Sequence, residues 1–100
     1  MNLMFSVDEQ GVVHIRGELT IHGLERLRLF LTDLFHSDQE PVLLSLAEVT
    51  FIDTASLQLL VACGNSLPAG RKWKVVAVSE KVEHILTLSG LRTALLGQGE

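Results

Sequence analysis

Short apolar segments and longer amphipathic ones follow each other along this chain. Met4 to Val7 and Val12 to Arg16 are mostly apolar and flank Asp8-Glu9-Gln10-Gly11. Two such segments around a turn-forming quartet predict a β-hairpin, and Gly17 predicts a break after it. Leu24, Leu27, Leu31, Leu34 and Phe35 then recur at steps of three and four, with Glu25, Arg26, Arg28 and Asp33 between them. That spacing predicts an amphipathic helix from about Gly23 to Phe35, ended by Asp38-Gln39-Glu40-Pro41. Val42-Leu43-Leu44-Ser45-Leu46 is apolar at both odd and even positions, the pattern of a central strand covered on two faces.

Beyond Phe51-Ile52 stands Asp53, whose short carboxylate suits the free amides that open a helix. Leu57, Leu60, Val61 and Gly64 give that helix one face, and Asn65-Ser66-Leu67-Pro68 closes it. Val75 to Val78 predicts another buried strand. Ser79 is a second cap, Val82, Ile85, Leu86 and Ser89 keep helical steps, and Gly90 sits where a left-handed residue ends a helix. Leu91 to Leu96 predicts a short last helix. A hairpin followed by helix, strand, helix, strand, helix implies an α/β fold with a mixed sheet, because parallel strands need crossover connections.

Length and composition narrow the picture. One hundred residues, 47% hydrophobic and 20% charged, suit a single domain over residues 1–100 with one core. No apolar run approaches the ~20 residues of a membrane-spanning helix. Met1-Asn2-Leu3-Met4 lacks the features of a secretory signal, so a cytoplasmic protein is expected, and the single Cys63 agrees with a reducing compartment. Eight Lys and Arg against twelve Asp and Glu leave a net charge of −4, which argues against nucleic-acid binding. Arg71-Lys72-Trp73-Lys74 reads as a solvated strand entrance rather than a binding patch.

Several chemistries are disfavoured by the residues themselves. His14, His22, His36 and His84 are far apart, and one cysteine offers no thiolate pair, so no metal site and no cofactor are expected. Gly64 to Lys72 superficially resembles a phosphate-binding loop. Its glycines are six apart, no Ser or Thr follows the lysine, and it leads into a strand. No Gly-x-Ser-x-Gly elbow occurs, and a domain this small leaves little room for a walled cleft, so an enzyme is not expected.

What remains is Asp53-Thr54-Ala55-Ser56-Leu57. A hydroxyl falls in the first turn of a helix, directly after its capping carboxylate. The helix N-terminus would favour a phosphate on Thr54 by ~1 to 2 kcal/mol. Two unit charges near ~4 Å repel by ~4 kcal/mol at an effective dielectric of ~20, so Asp53 opposes it. Modification here would change a docking surface by charge and bulk more than it would stabilise the fold. Taken alone, the local sequence favours the plainer reading, in which Asp53 and Thr54 simply cap a helix.

Gly17-Glu18-Leu19-Thr20, the run from Val42 through Phe51-Ile52-Asp53-Thr54-Ala55-Ser56-Leu57 to Leu60, and Ser89-Gly90-Leu91 resemble the STAS domain of the anti-sigma factor antagonists. The resemblance covers about Val12 to Leu96. It implies a mixed sheet of four to five strands flanked by about four helices, and a non-enzymatic partner switch. The family's phosphoacceptor falls on Thr54, with Ser56 as a second candidate, and Asp53, Thr54, Ala55, Ser56 and Leu57 form the implied docking segment. The implied partner is an anti-sigma factor or a serine/threonine kinase of the histidine-kinase-like fold. The alternative is a constitutive small STAS subunit or scaffold, bound to an ABC ATPase in phospholipid transport or to a chemotaxis complex. The chain departs from the family pattern in carrying Ser56 for a Gly, and Ser45 and Thr20 where an Asp is frequent.

Overall fold

The computed structural model describes residues 3–37, 42–65 and 72–96. The expected helix terminators 38–41 and 66–68 lie outside them, as does most of the loop-like stretch before Lys72. The elements run β1 (Met4–Val7), β2 (Val12–Leu19), a 3-10 turn (Ile21–Gly23), α1 (Leu24–Phe35), β3 (Val42–Ile52), α2 (Thr54–Asn65), β4 (Trp73–Val78), α3 (Glu80–Ser89) and α4 (Arg92–Leu96). The four strands form one sheet in the order β1-β2-β3-β4. β1 is antiparallel to β2, and β2, β3 and β4 are parallel, so the sheet is mixed, and the described residues add four α-helices to it.

The hairpin turn is built by Asp8. Its Oδ1 accepts from the amides of Gln10 at 2.9 Å and Val12 at 3.0 Å, while Gly11 takes a positive φ of 84°. Its Oδ2 lies 2.9 Å from His14 Nε2, and that contact, followed by the Val12 amide, holds the Asp8 carboxyl below its ordinary range. The core lies between the sheet and the helices. Val13 and Ile15 of β2, Leu44, Leu46 and Val49 of β3, Leu31 of α1, Leu60 of α2 and Leu86 of α3 are all essentially inaccessible. Removing a methylene from such a site costs about 1 kcal/mol.

Three strand expectations are corrected. Gly17 does not break the chain: β2 continues through it to Leu19, and its φ of 99° accommodates a shift of register against β3. β3 does not stop at Leu46 but runs eleven residues to Ile52. Its second half pairs with β2 as far as Leu19↔Ile52, beyond the last contact with β4 at Leu46↔Val78. Only Val49 and Ile52 are buried there, while Ala47, Glu48, Thr50 and Phe51 are exposed, so no continuous apolar run marks it. β4 begins at Trp73, and only Val75 on it is buried, because it is the sheet's edge.

The helix signals hold. Ser79 Oγ accepts from the Val82 amide at 3.3 Å, and Gly90 closes α3 with φ 75°. α2 packs close to β4: a Cβ on Gly64 would stand 2.3 Å from the Trp73 ring. Cys63, beside it, is half-buried, and burial pushes its thiol up despite the opposing charge of Arg28. Among the described residues no helix is long and apolar enough to cross a membrane, and no three His, Cys, Asp or Glu side chains come together to hold a metal.

Candidate functional site

The expected site lies where β3 hands over to α2. Asp53 is the first residue past the strand, and its amide donates to Leu19 O at 3.0 Å, continuing the β2–β3 pairing by one step. Its own carbonyl accepts from the Leu57 amide at 3.1 Å, the first α-helical bond of the helix. The carboxylate is divided between two duties. Oδ1 accepts from the Ser56 amide at 2.8 Å, capping α2. Oδ2 accepts from the Ile21 amide at 2.8 Å, across 32 residues of sequence. The cap thereby fastens the start of α2 to the turn after β2.

Burial pushes the Asp53 carboxyl up, but the Ser56 and Ile21 amides outweigh it and hold the group below its ordinary value. The Ser56 hydroxyl lies near enough to add to this pull, although it makes no well-aligned hydrogen bond. At neutral pH residue 53 is therefore a carboxylate with both oxygens engaged.

Thr54 opens α2 and is exposed. Its amide and that of Ala55 belong to the first turn, which has no intrahelical acceptors, so the positive end of the helix lies at this hydroxyl. Ala55 is half-buried. Two expectations are corrected. Ser56 and Leu57 are each 0% exposed, so Ser56 Oγ is sealed from a kinase and neither side chain can line a docking surface in this fold. The reason is helical phase: Ser56, Leu57 and Leu60 share the face turned to the core. Ser45 is also buried, at 5% exposure, and its Oγ accepts from the Ala47 amide, so it contributes no partner-facing surface.

Beside Thr54 lies a groove of about 450 Å³, lined by Thr54, Gln58, Ile85, Leu88, Ser89 and Leu91. None of these side chains is charged. Leu88 is 73% exposed, the most solvated large apolar side chain among the described residues. Sequence reasoning passed over Gln58 and Leu88. The readable signal was Leu88 standing out of phase with Val82 and Leu86, a leucine on the solvent side of an amphipathic helix.

A family model described as "Mlab, STAS domain" matches residues 5–97. The search of curated proteins finds no match. Among solved structures, an anti-sigma factor antagonist from Mycobacterium paratuberculosis superposes with a TM-score of 0.77 at 19% identity, covering 97% of this chain and 85% of that one. The anti-sigma factor antagonist SpoIIAA in its unphosphorylated form gives 0.66 at 23% identity, covering 99% of this chain and 90% of that one. An antisigma-factor antagonist STAS domain from Rhodobacter sphaeroides gives 0.54 at 15% identity, over 82% and 88% of the two chains. These likenesses establish a shared fold, four strands with helices layered against them. Taken with the family match over nearly the whole length, they place this chain in the STAS domain family.

Proposed function

We propose that this chain is a non-enzymatic partner-switching module, working in the cytosol, whose docking is governed by phosphorylation of Thr54. The observation that carries the reading is the exposed Thr54 hydroxyl at an uncharged, largely apolar groove, directly after a carboxylate already committed to two amides. A phosphate there adds about −1.5 to −2 charges at neutral pH. Among the described residues no cation lines the groove at Thr54 to receive it, and Asp53 stands adjacent with like charge. The modified surface would present an unpaired dianion where a partner expects apolar contact.

An uncompensated charge in a closed interface costs about 2 to 5 kcal/mol, roughly 30- to 4,000-fold in affinity. That is a switch-sized effect. Asp53, Thr54 and the accessible part of Ala55 form the centre of the docking surface. The partner is an anti-sigma factor or a serine/threonine kinase of the histidine-kinase-like fold. Support comes from the similarity in fold to anti-sigma factor antagonists.

The uncharged groove also favours a second reading, in which the same surface is a permanent contact of a small STAS subunit with an ABC ATPase or a chemotaxis complex. Leu88 would then be covered throughout the life of the complex, and Thr54 would be a packing and hydrogen-bonding residue. Co-purification with each class of partner tests the two. Under the switch, Thr54→Ala binds and Thr54→Glu does not. Equal binding by both variants contradicts the switch and leaves the permanent contact.

A further inference from the structure

α3 places Lys81, His84, Ile85 and Leu88 at steps of three and four, so they share one face. Together with Phe51 and Ile52 at the end of β3, they line a depression of about 230 Å³. Ile85 and Leu88 continue into the groove that reaches Thr54, and Lys81 and His84 continue the other way into an open hollow beside Thr50 and Ser79. The three form one track along the helix. Its middle is apolar and solvated, since Phe51 is 49% exposed.

The charge on this track is uneven. Among the described residues lining the depression that holds Phe51, Lys81 and His84 are the only titratable side chains, and none is a carboxylate. Neither makes a hydrogen bond or ion pair with another described residue. The nearby acid Glu83 is engaged by Arg92. Glu80 shares the outer hollow with Lys81 and His84, and Glu80 and Glu83 stand with His84 in a neighbouring hollow, but neither acid lines the depression at Phe51. On a chain of net charge −4 this is a local exception, a cation and an imidazole left unpaired at one end of an apolar trough.

We infer that this track takes an apolar segment of a partner protein tipped by a carboxylate, the apolar side chains lying against Phe51, Ile85 and Leu88 and the acid meeting Lys81 and His84. The inference rests on the docking role of the Thr54 surface and names the chemistry that extends it. Lys81 and His84 are exposed in the free protein, and a carboxylate reaching Lys81 gains a charge-assisted hydrogen bond that strengthens as the partner's apolar face displaces water from the track. A basic tip at the same place would meet like charge. The face is matched to an amphipathic segment because its own anchors repeat with helical spacing.

The test is a titration of the isotopically labelled protein, followed by amide chemical shifts, with two synthetic amphipathic peptides that share a leucine face. One ends in aspartates and the other in lysines. The aspartate peptide is expected to move the amides of Phe51, Lys81, His84 and Leu88, and to bind at least about tenfold more tightly than the lysine peptide. Lys81→Glu is expected to weaken it about tenfold, while Lys74→Glu, the same charge change on β4 outside the track, leaves it within about twofold. Equal affinity for the two peptides, shifts confined to another surface, no binding of the aspartate peptide, or indifference to Lys81→Glu would each overturn the assignment. Its failure is separable from that of the switch. Loss of peptide binding in Lys81→Glu with partner binding unchanged in Thr54→Glu keeps the track and removes the switch; the opposite pair of results does the reverse.

Discussion

Two strand-to-helix junctions stand side by side in this sheet, and the chain caps them differently. At the end of β4, Ser79 accepts one bond from the Val82 amide, three residues on, and its backbone amide donates to Leu46 O at 3.1 Å. At the end of β3, Asp53 also caps the amide three residues on, but its second oxygen holds the Ile21 amide. A neutral hydroxyl that serves one helix is enough to start α3. A carboxylate that serves two elements fixes where α2 begins relative to the turn after β2, and so fixes Thr54 in space. The first residue after the Ser79 cap is Glu80, an acid suited to a helix N-terminus, whereas the first after Asp53 is a hydroxyl left exposed. The difference teaches that the second junction holds residue 54 exposed at a fixed place between two elements, with a carboxylate partly withdrawn from water.

The largest expected effect is on docking. Thr54→Glu should lower affinity for the partner by about 30- to 4,000-fold, measured by calorimetry or surface plasmon resonance. Glu80→Gln, at the equivalent place in α3, should change it little, and a comparable loss there would erase the distinction between the junctions. Next comes stability. Asp53→Ala removes the cap and leaves the Ile21 amide without its charged acceptor, for about 2 to 3 kcal/mol in urea unfolding. Ser79→Ala loses only a cap, about 1 kcal/mol. Equal costs would mean that the bond to Ile21 contributes nothing.

How much of this was legible follows from the reach of each interaction. Asp53 and Ser79 could be recognised as caps because the bonds they accept are local, three residues on. The tie from Asp53 to Ile21 could not, because it depends on β2 pairing in parallel with β3, a fact of topology. Gly17 looked like a break because a strand glycine and a loop glycine are the same letter; only the register shift distinguishes them. The far half of β3 was hidden by its exposed residues. A contiguous segment such as Asp53 to Leu57 hides the helical phase that turns Ser56 and Leu57 inward, although the spacing of Leu57 and Leu60 marks the inward face of α2. The groove beside Thr54 joins residues of α2 and α3 with Leu91 beyond, and no local pattern announces such a meeting.

Two smaller effects sharpen the comparison. Because the folded Asp53 carboxyl titrates below its ordinary value of 3.8, its contribution to stability is complete above that value and is lost as pH falls through the lower folded one. Asp53→Asn should therefore lose less stability than the parent between neutral and strongly acidic pH, as followed by circular dichroism, while Ser79→Ala should keep the parent's acid slope. An unchanged slope in Asp53→Asn would contradict the carboxylate's part in the junction. Thr54→Ala should be the mildest change, at most about 1 kcal/mol, because its side chain is exposed and makes no capping bond. A larger cost in thermal unfolding would make Thr54 a structural residue.

The most direct measurement is the location of phosphate on the protein isolated from its own cells, by intact mass and fragmentation of the peptide that spans β3 and α2. A single phosphate on Thr54, with Ser56 unmodified, is the result predicted. Phosphate on Ser56, or a protein that carries none at Thr54 under every growth condition sampled, would contradict the switch.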